Sequence, residues 1–137
     1  MFVRTLADVR DTGHEVVIAG GSARTARFLT ASDGVGFTFS DVSQAAGGEA
    51  RLWYKNHWEA NYILEGVGEL EEVATGRRWR LEPGTIYVVG PDDRHVVRAE
   101  TDLRLISVFN PPLIGDENHD ADGSYPPTGP IPPGPGA

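Results

Sequence analysis

Residues 81–95 read Leu81-Glu82-Pro83-Gly84-Thr85-Ile86-Tyr87-Val88-Val89-Gly90-Pro91-Asp92-Asp93-Arg94-His95. Pro83-Gly84 makes a tight turn, the apolar run Thr85–Val89 follows, Gly90-Pro91 turns the chain again, and His95 opens the next run. A β-branched run this short, closed at both ends by Gly and Pro, reads as a strand, since a helix asks for ~10–12 residues or more. The same grammar repeats outward. Runs of about four to eight residues stand at Glu15–Ala19, Arg27–Thr30, Val35–Ser40, Arg51–Tyr54, Ala60–Leu64, Gly68–Val73, Arg78–Leu81, His95–Arg98 and Leu103–Phe109. Ala74-Thr75-Gly76-Arg77 is a hairpin signal between two of them. One short helix is expected at Leu6–Asp11, and no long amphipathic helix. About ten evenly spaced strands predict an all-β domain, an antiparallel sandwich or barrel of the jelly-roll kind.

Composition narrows the partners. The 137 residues suit one domain with a real core. Twelve Lys and Arg against 20 Asp and Glu leave a net charge of -8, which repels a phosphate backbone and argues against nucleic acid. Zero cysteines exclude disulfides, thiolate metal sites and a cysteine nucleophile together. No run approaches the ~20 apolar residues of a membrane span, and MFVRTLADVRD lacks the basic-then-apolar layout of a signal peptide. The expectation is a cytoplasmic protein that handles a small molecule.

The end of the chain differs. The barrel rhythm spans residues 1–112 and stops after Asn110-Pro111-Pro112. Residues 113–125 are polar but keep Leu113, Ile114, His119 and Tyr125, as if to fold over something. Residues 126–137, PPTGPIPPGPGA, read as a disordered Pro/Gly-rich tail, because they hold too little apolar surface to offset their ordering entropy.

A chain without cysteine must build a metal site from His, Asp, Glu, Tyr or backbone oxygen, ligands that suit iron, zinc or manganese. In Glu59-Ala60-Asn61-Tyr62-Ile63-Leu64-Glu65-Gly66, alternation puts Glu59, Asn61 and Ile63 on one face. Glu59 then either points into a barrel, where it needs a partner or a cation, or sits at a strand mouth in water. Tyr87 and Val89 share a face; Tyr87 is either a core tyrosine with a satisfied hydroxyl or a ligand. His95 is either a ligand or a surface histidine beside Asp92 and Asp93.

The order of these segments adds to the pattern. A Glu followed after six residues by Gly66, then a Pro-Gly turn with His95 eleven residues beyond Gly84, resembles the paired motifs of cupins. Cupins usually carry two histidines at alternate positions just ahead of the Glu; here Trp53, Tyr54, Lys55 and Asn56 fill that region and His57 is out of register. With that departure, Trp53–Ala60, Pro83–Tyr87, Arg94-His95, Val108–Pro112 and Gly115–Tyr125 resemble ectoine synthases over roughly residues 1–127.

The resemblance implies a homodimeric cupin barrel with one iron, held by Glu59, Tyr87 and His95. It implies closure of N-gamma-acetyl-L-2,4-diaminobutyrate to ectoine with loss of water, the work of a carbon–oxygen lyase. Tyr54, His57, Glu117 and His119 match family positions for catalysis, and Arg27, Tyr54, Ser107, Phe109, Glu117 and His119 match positions that line the substrate cavity. It also gives residues 113–125 a purpose, covering the cavity mouth; His57 could instead support the fold through a loop backbone. Three positions depart from the family pattern: Ala23 stands for Trp, Val42 for Thr and Ser107 for Cys. The alternatives are therefore a sibling cyclase for another amide or amidine, a cupin that only binds a metabolite, and an iron oxygenase.

Overall fold

The computed structural model describes residues 1–136, and the last tail residue, Ala137, lies outside them. Besides two single-turn 3-10 helices (Ala19–Gly21 and Ala31–Asp33), one α-helix and ten strands follow in order among the described residues: α1 (Leu6–Asp11), β1 (Glu15–Ile18), β2 (Ala23–Leu29), β3 (Thr38–Gln44), β4 (Glu49–Leu52), β5 (Trp58–Glu65), β6 (Gly68–Glu72), β7 (Arg78–Leu81), β8 (Ile86–Val89), β9 (His95–Ala99) and β10 (Leu103–Asn110). They form two sheets, β1-β2-β3-β10-β5-β8 and β4-β9-β6-β7, antiparallel at every pairing. The predicted all-β jelly-roll architecture and the one helix are both there.

Local chemistry explains the boundaries. Thr5 caps α1: its hydroxyl accepts from the Asp8 N–H at 3.2 Å while the Asp8 carboxylate accepts from the Thr5 N–H at 2.7 Å. The helix packs on β2 and buries Val9. The run predicted from Val35 pairs only from Thr38, because the chain before it passes through left-handed Gly34 and Gly36 (φ 72° and 91°). At the β5–β6 turn a Cβ on Gly66 would overlap the Asp102 carbonyl, so glycine lets the two turns of that barrel end close on each other.

The register places the side chains that face the interior. Across the six-stranded sheet, Arg27, Ser40, Ser107, Asn61 and Tyr87 stand in one cross-strand row. Beside it run Thr38, Phe109, Glu59 and Val89 on one side, and Thr25, Val42, Leu105 and Ile63 on the other. The four-stranded sheet answers with Ala50, Val97 and Leu70, and with Leu52 beside His95. Ile63, Leu70, Leu81, Val97, Leu103 and Leu105 make an apolar core at one end. Tyr54, Val89, Phe109, Leu113 and Tyr125 make a second at the other. The polar row lies between them.

Among the described residues the tail carries no helix or strand, but it does meet the barrel. Thr128, Pro132 and Gly134 touch His57, Trp58 and Pro112. Backbone carbonyls and a hydroxyl make those bonds, so they need no apolar stretch that composition would reveal.

Candidate metal centre and substrate cavity

Glu59 faces inward and is 5% exposed. Asn61 Nδ2 donates to its Oε1 at 2.7 Å and Ser107 Oγ donates to its Oε2 at 2.8 Å. Burial pushes the carboxyl up to about 7, with the two hydrogen bonds pulling against it. Each oxygen keeps a lone pair for a further partner. His95, also buried, has its Nδ1 2.9 Å from the Asp93 carbonyl, so Nδ1 carries the hydrogen. Its Nε2 is left as a buried lone pair with no hydrogen-bond partner. Asp93 thus meets His95 through its backbone, and the surface reading of His95 falls away.

Tyr87 stands opposite Asn61 across the β5–β8 pairing, its ring centre 6.4 Å from that of His95. Burial, and then the charge of Glu59, pushes its phenol well above the ordinary range. Among the described residues no group of three His, Cys, Asp or Glu gathers as a metal site would. The donor set here is mixed: one carboxylate, one imidazole with a free buried nitrogen, and one phenol. Oxygen and nitrogen donors of that kind fit iron, zinc or manganese. A backbone bond that fixes the ligand tautomer, as at His95, is a usual companion of metal sites.

Glu59, Asn61 and Tyr87 line an inner cavity of about 50 Å³, with Tyr54, Phe109, Ser107 and His119. Ala23, Val42 and Gln44 line it too. Gln44 is 5% exposed and its Nε2 has no partner. On its other side Tyr87 borders, with His95, a groove of about 380 Å³ between the edges of β7 and β8. Tyr54 and His119 form one hydrogen-bonded pair, hydroxyl to Nε2 at 2.9 Å. Burial pushes the Tyr54 phenol well up, and burial with Arg27 brings His119 down to about 4, so both are neutral near pH 7.

Residues 113–125 lie against this end of the barrel, and His119 and Tyr125 reach the cavity. The Leu113 N–H donates to Thr38 Oγ1 at 2.7 Å, and Lys55 N–H donates to Ser124 Oγ at 3.1 Å. Arg27 holds the segment from within. Its guanidinium donates to the Gly115 carbonyl at 3.0 Å and to the Tyr125 hydroxyl at 3.1 Å. Glu117 accepts from the Ile114 and Gly115 N–H groups, both at 2.7 Å, and lies 3.8 Å from Arg27. Burial raises the Glu117 carboxyl, but those amides and Arg27 outweigh it and hold it below the ordinary range.

The site residues named from sequence therefore divide. Glu59, Tyr87, Tyr54, Ser107, Phe109 and His119 line the cavity, and His95 lies against Tyr87 and Tyr54. Arg27 and Glu117 tie down the covering segment. His57, fully buried, packs edge-on against Phe109 and Tyr125 and bonds the tail. Two residues were missed. Asn61 reads as inward in the alternation, but nothing in the sequence couples it to Glu59. Tyr125 stacks on His119, with ring centres 4.5 Å apart, and only the fold brings that pair together.

Two stacked antiparallel sheets around a small polar cavity are the jelly-roll arrangement that cupins share. A cupin-2 domain protein from Salinispora arenicola has the same fold, with a TM-score of 0.63 and 20% identity over 80% of this chain and 87% of that one. The chain belongs to the ectoine synthase family, whose model matches residues 1–129. The L-ectoine synthase of Oceanobacillus iheyensis is 45% identical over 127 residues, 92% of this chain and 97% of that one. That of Desulfosudis oleivorans is 47% identical over 126 residues, 91% and 96% of the two chains. The crystal structure of ectoine synthase from P. lautus has a TM-score of 0.76 and 38% identity, covering 84% of this chain and 81% of that one. As a member of this family the protein is an enzyme of the hydro-lyase type.

Proposed function

We propose that the chain closes N-gamma-acetyl-L-2,4-diaminobutyrate to ectoine in the inner cavity, with ferrous iron held by Glu59, Tyr87 and His95. The observation that carries this reading is the His95 Nε2, a buried lone pair without a partner, on a ring that packs beside Tyr87. In the reaction the free amine attacks the acetamide carbonyl carbon of the same molecule. A carbon–nitrogen bond forms, the amine gives up both protons, and the carbonyl oxygen leaves with them as water. A cation bound there supplies Lewis acidity to an electrophile as poor as an amide.

The chain's own groups do the rest. Phe109, Val97 and Leu105 wall the cavity and keep water out. Holding the substrate bent brings amine and carbonyl together, and such proximity is worth up to ~7–11 kcal/mol in favourable systems. The Tyr54 hydroxyl and the His119 ring, already bonded to each other, take the amine's protons and deliver them to the departing oxygen. Residues 113–125 act as a lid: a cavity of about 50 Å³ is well below the ~300 Å³ of ordinary ligand pockets, so the substrate enters only when that segment moves. The protein works in the cytoplasm as a homodimer. β8 is a sheet edge with Ile86 and Val88 exposed, an apolar edge that a second copy would cover.

Anaerobic reconstitution with ferrous iron, incubation with the substrate, and detection of ectoine by mass and proton NMR test this. Ectoine that vanishes in Glu59→Ala and His95→Ala is the expected result. Folded, iron-loaded protein that makes none overturns it. A second reading, a sibling cyclase for another amide or amidine, then takes its place, favoured by Ala23 and Val42 in the cavity wall beside the unpartnered Gln44 amide.

A further inference from the structure

The tail bonds the barrel at two consecutive residues, His57 and Trp58, just ahead of Glu59. Thr128 Oγ1 donates to the Pro112 carbonyl at 2.6 Å, which uses its one hydrogen. At 3.2 Å from His57 Nε2 it can then only accept, so the ring carries its hydrogen on Nε2. The His57 Nδ1 is left buried without a partner. Four residues beyond Thr128, the Pro132 carbonyl accepts from the Trp58 indole N–H at 2.9 Å.

The indole is also clamped between two glycines. A Cβ on Gly90 would come within 2.6 Å of the ring, and one on Gly134 would overlap it. Gly134 holds φ at 75°, a left-handed conformation that other residues rarely take. In a stretch as Pro- and Gly-rich as this, Gly134 is the glycine whose missing side chain the packing uses. Pro111 and Pro112, which Gly129 and Thr128 touch, lead from β10 into the covering segment. The contact at Pro132 lies beyond residue 129, where the family match ends.

We propose that residues 128–134 are a strap that holds the covering segment closed over the cavity, with Thr128 positioning His57 and Trp58 as the post. The strap grips the hinge of the segment rather than its tip. Arg27 and Tyr54 hold the other side through Gly115, Tyr125 and His119. Opening the cavity then requires the segment to leave Arg27 and the strap to yield at Pro112. The inference does not depend on which substrate the cavity takes.

Amide hydrogen exchange by mass spectrometry on the full chain tests it, comparing wild type with Gly134→Val, Thr128→Val and the exposed tail change Pro130→Ala. Gly134→Val is expected to speed exchange across 113–125 by roughly tenfold or more, with β5 and β10 unchanged. Thr128→Val, which keeps the shape and removes the relay, gives a smaller increase of several-fold. Pro130→Ala leaves exchange as in wild type. Wild-type exchange across 113–125 in both Gly134→Val and Thr128→Val overturns the strap. So does an increase spread evenly over the barrel, which would mark a general loss of stability instead.

Discussion

The six-stranded and four-stranded sheets share one alternation but use their faces in opposite ways. The six-stranded sheet turns a carboxylate, an amide and hydroxyls inward, at Glu59, Asn61, Ser107 and Ser40. The four-stranded sheet turns Ala50, Leu70, Leu81, Val97 and Ala99 inward and keeps its charges outside, where Arg98 meets Glu49, Glu69 and Glu71. One interior face is costly to bury and forms the candidate site, and the other is cheap to bury and holds the fold. His95 is the exception, a polar residue at the end of β9 that the apolar sheet lends to the site.

The largest effects should separate the two faces. Glu59→Gln is expected to abolish iron binding and turnover without lowering the melting temperature, since an amide replaces a carboxyl whose burial already disfavours its charge. Leu81→Ala, at a fully buried position, is expected to cost ~2–5 kcal/mol by urea unfolding while leaving turnover of the folded fraction intact. The contrast breaks if Glu59→Gln unfolds the protein or if Leu81→Ala lowers kcat in step with stability.

A finer prediction concerns the two donors on Glu59. Asn61→Leu and Ser107→Ala each free one carboxylate oxygen from its hydrogen bond and are expected to weaken iron binding by ~10–100-fold. Competition against a coloured chelator reads this directly. Unchanged affinity in both would mean that Glu59 is oriented by packing alone.

These residues also mark how far the sequence could be read. Strand rhythm located β7 at Arg78–Leu81 and α1 at Leu6–Asp11 to the residue, because turns and caps are local chemistry. Glu59, Tyr87 and His95 were singled out through spacing and resemblance, and the structure buries Glu59 and His95 and sets Tyr87 beside His95. Arg27 was not: it sits 88 residues from the Gly115 carbonyl it holds, and an Arg on a strand reads equally well as a substrate contact. The strap was hidden for the same reason. Trp58 and Pro132 are 74 residues apart, and a carbonyl acceptor exists at every residue.

The smallest expected effect lies on the outer face of the four-stranded sheet. Arg98 donates to Glu49 at 2.9 Å and to Glu71 at 2.6 Å, with Glu69 at 3.4 Å, in a row open to water. Exposed pairs gain little, because water competes for each charge and the long side chain must be held still. Arg98→Met keeps the apolar stem over the sheet and removes the charge. It leaves the carboxylates of Glu49, Glu69 and Glu71 without the cation they share, so the loss should be electrostatic and fade as salt rises. The melting temperature is expected to fall by no more than ~4 °C at low salt and by less at 0.5 M. A larger fall that salt does not relieve would show that this sheet draws stability from its charged face as well as its apolar one, and the division between the two sheets would have to be redrawn.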